Sequence, residues 1–261
     1  MKVSHELPID LMHYSYQWND YDYCLPHLID KYERYRLYFQ KARLDKRFII
    51  MDNGLFEGVT HTTEDLLDKI WLVKPDIFIV PDEWNDSAAT LRNAKSWMTN
   101  LKDKLPEETN LMAVCQGKTI SELVTTYQTL VDIGYKHIAF NHSSIAYTNE
   151  YPGHTKLKAQ MYGRMEFIRR LVEKDTVRKD VYHHLLGASD WREFQAYTEF
   201  EWIKSVDTSS PIINGALGVK LNHDELYNKP KEKLEDIMEM NLFDKMDIIK
   251  HNVEIFRKSI S

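Results

Sequence analysis

The chain has 261 residues, 43% hydrophobic and 28% charged, with a net charge of −6 at pH 7. This is an ordinary globular composition, long enough for one large domain or two small ones, and the negative balance argues against a broad electrostatic grip on nucleic acid while leaving room for a local basic face. No window approaches the ~18 uninterrupted apolar residues of a membrane helix, and the opening MKVSHELPID lacks the apolar core of a secretion signal.

The two cysteines, Cys24 and Cys115, lie far apart. They exclude a four-cysteine zinc site and make a disulfide framework a poor fit, so a reducing cytoplasm is the expected location.

In chain order, β-type runs stand at 7–14 (LPIDLMHY), 47–54 (RFIIMDNG), 75–82 (PDIFIVPD), 110–117 (NLMAVCQG), 136–143 (KHIAFNHS), 182–189 (YHHLLGAS) and 202–210 (WIKSVDTSS). Continuous apolar stretches such as FIIM and IFIV are the pattern of strands covered on both faces, as in parallel sheets. Amphipathic helical patterns fall between them at 62–74, 88–104, 119–134 and 157–174. The first opens on a Thr with a carboxylate in its first turn, and the third closes on Gly134. A helical tail is expected over 231–259.

Strand and helix thus alternate without a Pro/Gly/Ser-rich linker, which implies a parallel α/β fold. An open doubly wound sheet is one form of it, but neither GxGxxG nor GxxxxGK[ST] occurs. The number of units favours a single (β/α)8 TIM barrel over residues 1–261, with an irregular or missing eighth unit between about 212 and the tail.

In such a barrel the C-terminal strand ends share one pocket. Here they carry Asp52, Asp82 with Glu83, Gln116, Asn141 with His142, Gly187 with Ser189, and Asp207. Asp, Asn and Gly after a strand are ordinary turn formers taken singly. Together they describe an acidic, acceptor-rich pocket suited to a neutral, donor-rich ligand such as a purine or a sugar. Two carboxylates at separate strand ends also suit glycosyl chemistry, one attacking the anomeric carbon and the other handling protons; spacing alone does not say which is which.

The ordered set DNGLFEG, VPDEW, AVCQGK, HLLGAS and SVDTSSP, over roughly residues 47–215, resembles the tRNA-guanine transglycosylase superfamily. That family carries D-S-G-G-[FY]-Q, D-E, V-Q-G-G, H-x-x-G and D-x-x-x-P segments on successive strands of a (β/α)8 barrel. The resemblance implies a pentosyltransferase in which Asp207 is the nucleophile on C1′ of the sugar and Asp52 the general acid/base. It further implies that Phe56 stacks on the purine, Asp82 reads the N1–H and N2 amino edge of guanine, and Gln116 reaches the O6 and N7 side. Asn141 and His142 stand where the family has a Gly-Gly pair, and Leu186 with Gly187 completes the wall.

The family's zinc-binding C-x-C-x-x-C…H segment is missing from this sequence, so no metal and no other cofactor is expected. In that respect the chain is similar to compact relatives from phages and bacterial DNA-modification clusters, which insert 7-deazaguanines related to queuosine and archaeosine into DNA. DNA is therefore the favoured partner and tRNA the runner-up, with the free 7-deazaguanine base as co-substrate. A homodimer or a helper protein that opens the duplex is compatible with the reading, and a phage-encoded chain would work in the host cytoplasm. The alternatives are a guanine N-glycosylase or hydrolase using the same carboxylates, and a non-catalytic nucleic-acid-binding barrel.

Basic stretches that could hold a polynucleotide backbone are Lys31, Arg34, Arg36, Lys41, Arg43, Lys46 and Arg47, and then Arg164, Arg169, Arg170, Arg178 and Lys179; a solvated amphipathic helix is the plainer reading of the first. Of His183 and His184, one is expected only to pack beneath the pocket. Cys115 is expected to be a buried thiol rather than a nucleophile. The aromatic cluster at 12–24 is expected to pack on the barrel, the alternative being a loop over the pocket mouth or a base-stacking platform. The Met- and Leu-rich segment around 238–246 is expected to cap the barrel rather than to form a dimer seam.

Overall fold

The computed structural model describes residues 1–227 and 230–260. Among them, eight parallel strands form one nearly closed sheet in the order β1-β8-β7-β6-β5-β4-β3-β2: β1 (Lys2–His5), β2 (Asp22–Cys24), β3 (Ile49–Met51), β4 (Ile77–Ile79), β5 (Asn110–Cys115), β6 (His137–Asn141), β7 (Tyr182–Leu186) and β8 (Ile203–Thr208). Helices alternate with them, and the fold is a (β/α)8 barrel. The continuous apolar runs behave as expected: Ile49, Ile50, Met51, Phe78 and Ile79 are all fully buried, since the barrel interior covers one face and helices the other.

The helices start and stop where their capping residues direct. The helix Thr63–Val73 opens on Thr62, whose hydroxyl accepts from the Asp65 N–H at 3.1 Å. The helix Ile120–Ile133 opens the same way on Thr119 and ends at Gly134, whose φ of 107° favours glycine. No helix among the described residues is long and apolar enough to cross a membrane.

The eighth unit is supplied at the N-terminus, which corrects the expectation of an irregular or missing unit after residue 212. β1 is only four residues long and ends in buried Ser4 and His5, while β2 begins with the charged Asp22. Neither carries a long apolar run. The stretch 7–14, expected as a strand, is a 3-10 helix over Ile9–Tyr14 that buries Ile9, Leu11 and Met12. Its alternating Leu7, Ile9 and Leu11 imitate a strand, but Pro8 sits at its N-cap with φ −68°, the dihedral that also suits helix entry. The seam between β1 and β2 is held by side chains in place of a full ladder. Asn19 accepts from the His5 N–H (2.7 Å) and donates to the His5 carbonyl (2.9 Å), and the Val3 N–H donates to the Asp20 carboxylate (2.9 Å). These bonds satisfy edge groups that would otherwise be buried without partners.

In the tail, only Met246–Ser259 is α-helical, preceded by 3-10 turns at Leu234–Ile237 and Phe243–Lys245. It packs on the barrel wall against the helices Ser210–Ala216 and Trp191–Tyr197. Met238 and Leu242 are buried, whereas Phe243 is 83% exposed. Trp18, Tyr21 and Tyr23 of the 12–24 cluster are buried in the barrel.

Two helices next to the pocket approach unusually closely. A Cβ on Gly163, in the helix Lys156–Glu173, would lie 2.3 Å from Cβ of Tyr147 in the helix Ile145–Glu150. Gly163→Ala should therefore cost about 1–3 kcal/mol by overpacking, seen as a lower urea midpoint; an unchanged midpoint would contradict this packing.

Candidate functional site

The DNGLFEG turn after β3 divides its work among its residues. Asp52 is buried, and its backbone N–H donates to the Cys24 carbonyl (2.9 Å), which holds it beside β2. Asn53 reaches sideways, its Nδ2 donating to the Val80 carbonyl (3.0 Å) and to Oδ1 of Asp82 (2.8 Å). Gly54 has φ 83°, and a Cβ there would touch the His61 ring at 3.2 Å, so glycine is required on both counts. The chain then rises to Phe56, 44% exposed, with its ring centroid 6.4 Å from that of Trp84.

A chain of amides continues around the barrel. Gln116, at the end of β5, donates from Nε2 to Oδ2 of Asp82 (2.7 Å). Its Oε1 accepts from Nδ2 of Asn141 (3.0 Å) and from the Asn85 N–H (3.1 Å). The Tyr147 hydroxyl donates to Oδ1 of Asn141 (2.9 Å). His142 bonds through Nε2 to the Ser189 hydroxyl (3.0 Å). Each of these side chains is turned by the next, so the set is fixed before any ligand arrives.

The opposite wall is built around Asp207. Its Oδ1 accepts from the Gly187 N–H (3.0 Å) and pairs with Nε2 of His184 (2.9 Å), while Nδ1 of His184 pairs with the Ser205 hydroxyl (2.8 Å). Gly187 takes φ 73°, and a Cβ there would stand 3.3 Å from Cβ of His142. Behind it, Nη1 of the fully buried Arg164 donates to the Gly187 carbonyl (2.8 Å), and its charge is balanced by Glu193 at 2.5 Å.

Asp52, Phe56, Asp82, Gln116, Asn141, His142, Leu186, Gly187 and Asp207 all border one cavity of about 820 Å³, its open mouth included. These nine are therefore brought together at a single mouth, whereas Glu83 and Ser189, also expected at the strand ends, do not line it. The cavity also takes in Tyr23, from the 12–24 aromatic cluster, and Trp84, Glu6 and Glu57, which sequence reasoning did not nominate. Asn53 was missed too. His184 could have been found by alternation, because it shares a strand face with Leu186 and so points into the barrel. His183 points the other way and packs on Tyr127, Phe140 and Trp202, and burial pushes it down to about 4. Burial likewise pushes the Cys115 thiol well above its usual range, as suits an inert core cysteine.

The carboxyls differ in their surroundings. Burial, and then the negative charges of Glu57, Asp207 and Asp82, hold Asp52 well above the usual carboxylate range, offset in part by the Asn53 backbone N–H. Burial raises Asp82 to about 6, with the Gln116 and Asn53 hydrogen bonds opposing it. A carboxylate has about four lone-pair positions; Asp82 spends one per oxygen on the protein and keeps the rest for donors in the cavity.

The basic stretches do not gather at this mouth. Arg164 lies in the core, which corrects its assignment as a backbone contact. Arg34, Arg36, Lys41, Arg43 and Arg47 are paired with Asp10, Glu33, Asp45, Asp76 with Glu108, and Asp22 respectively, and Lys31 with Glu235. Arg170 pairs with Glu166 and Glu173, and Arg178 with Asp180. These are mostly ion-paired faces of the outer wall.

The raised carboxyl of Asp82 sets a sign for stability. The folded state holds the proton more tightly than the unfolded state does, so its contribution is largest below the ordinary value of 3.8 and declines as pH rises through about 6. Between roughly pH 4 and pH 7 the wild type should lose about 2–3 kcal/mol more unfolding free energy than Asp82→Asn, read from urea curves at both pH values. Equal losses would contradict the assignment. No family model matches the sequence, and no curated protein matches it either.

Proposed function

We propose that this barrel breaks and remakes the N-glycosidic bond of a purine nucleotide, exchanging guanine for a 7-deazaguanine in a polynucleotide, DNA being favoured. The observation that carries this reading is the contrast between Asp52 and Asp207 in one cavity. Burial and the neighbouring carboxylates of Glu57, Asp207 and Asp82 hold Asp52 well above the usual carboxylate range, which favours its protonated form. Asp207 has two donors on Oδ1, while Oδ2 accepts no hydrogen bond from the described residues. One carboxyl is thus set to give a proton and the other to attack, the division of labour that glycosyl transfer needs.

In this reading, Oδ2 of Asp207 forms a bond to C1′ as the C1′–N9 bond breaks, and the Asp52 proton goes to the departing base. The incoming base then attacks C1′, the C1′–Oδ2 bond breaks with its electron pair returning to Asp207, and the N9 proton passes to Asp52. Guanine offers adjacent N1–H and N2–H donors, which match the lone pairs left on Asp82. Adenine lacks the N1–H and would leave Asp82 underpaired. Phe56 at the rim would stack on the base, a contact worth about 1–3 kcal/mol. The preference for DNA rests on the resemblance to compact relatives without the zinc segment, and the target base must be turned out of its stack to enter.

A second reading, hydrolysis of a small purine nucleoside, is favoured by the ion pairing of the basic stretches, which leaves them weakly suited to a long polyanion.

Incubation with radiolabelled guanine and either DNA or tRNA separates these readings. Label should enter DNA, and Asp207→Asn should reduce entry by about a thousandfold or more. Entry into tRNA alone would overturn the DNA preference. Free guanine released from guanosine with no incorporation into polymer would favour the hydrolase.

A further inference from the structure

His184 is a buried imidazole bonded at both nitrogens, between the Ser205 hydroxyl and the Asp207 carboxylate. It cannot reach the cavity itself: it is fully buried, stacked on Tyr23 at 6.1 Å with 20° between the rings, and does not line the pocket. A carboxylate only accepts, so Nε2 must be the N–H, and Nδ1 accepts from the Ser205 hydroxyl. The Gly187 N–H reaches the same oxygen (3.0 Å), and the peptide that supplies it is gripped from behind by Arg164, which donates to the Leu186 carbonyl (3.4 Å) and the Gly187 carbonyl (2.8 Å). Two donors therefore converge on Oδ1 of Asp207, one from Gly187 in the cavity wall and one from His184 behind it.

Resting on the covalent reading above, we infer that His184 is a positioning residue that governs the release of Asp207 from its sugar adduct. In the adduct Oδ2 is the ester oxygen, and Oδ1 is a neutral carbonyl that accepts only ordinary hydrogen bonds. When the incoming base attacks C1′ and the C1′–Oδ2 bond breaks, the electron pair spreads over both carboxylate oxygens. Donors on Oδ1 bind that charge more strongly than they bind the ester. They make Asp207 a better leaving group and hold its free oxygen facing C1′. The Asp207 oxygen, which only accepts, selects the Nε2–H tautomer, and the Ser205 hydroxyl holds the ring at Nδ1.

The consequence is a partition between two half-reactions. Losing the Nε2–H donor leaves attack by Asp207 possible but slows its departure, so the adduct should accumulate. The test mixes full-length protein with guanine-containing single-stranded DNA, adds free guanine, and follows the denaturant-resistant adduct over time. His184→Phe keeps a ring against Tyr23 and removes the donor; the adduct should persist about ten- to a hundredfold longer, the value of one hydrogen bond to a charged group. His184→Gln, with an amide N–H near the same place, should restore much of the wild-type lifetime, and a merely structural role would not separate these two variants. If His184→Phe does not fold, Ser205→Ala, which removes the hydroxyl that anchors Nδ1 and loosens the ring against Asp207, should lengthen the lifetime in the same direction. A wild-type adduct whose lifetime is unchanged in a folded His184→Phe or Ser205→Ala overturns this inference alone. Failure of the wild type to form any adduct removes the covalent reading itself.

Discussion

The Asp82 carboxylate, bonded on one oxygen by Asn53 and on the other by Gln116, is the interaction on which the pocket depends. Buried polar groups must find partners or lose on the order of 1–3 kcal/mol each. At the mouth of this barrel most strand ends carry such a group, and the solution is a relay of hydrogen bonds from strand to strand. Asn53 joins β3 to β4, Gln116 joins β4 to β5, and Asn141 with Tyr147 extends the relay to β6 and its helix. Gly187 and His184 then join β7 to Asp207 on β8. The same bonds that make the mouth stable fix the direction of Asp82, Gln116, Asn141 and Asp207. Stability and preorganisation are here one arrangement.

Charge follows from that arrangement. Glu6, Asp52, Glu57, Asp82 and Asp207 all border the cavity, and so many carboxyls in a buried space cannot all ionise freely. The rise in Asp52 is the expected response, with burial as its largest cause and three neighbouring carboxylates adding to it. The outer wall is different: its arginines and lysines mostly meet acidic partners along the helices, and the partners are exposed enough that these pairs add little stability.

Much of this was legible in the sequence, for definite reasons. Runs such as FIIM and IFIV announce strands buried on both faces because only such a strand can be apolar at every position. Asp52, Asp82, Gln116 and Asp207 could be placed at one mouth because each stands at the end of a strand-like run, and in a barrel all those ends point one way. β1 and β2 were hidden because their buried residues include the polar Ser4, His5 and Asp22, and of these His5 and Asp22 find their partners, Asn19 and Arg47, elsewhere in the chain. Arg164 read as a surface cation because its neutralising partner, Glu193, lies on another helix. Asn53 read as a turn residue because its bonds run to Asp82, a strand away. The failures share a cause: periodicity reports which face is apolar, whereas a buried polar residue is explained only by its partner.

The most direct measurement is a crystal structure of the protein soaked with guanine. The account predicts the base inside the cavity, Phe56 against one face, N1 and N2 on the Asp82 carboxylate, and N9 directed toward Asp52 and Asp207. Guanine bound elsewhere, or bound in the cavity with Asp82 facing no donor, would contradict it.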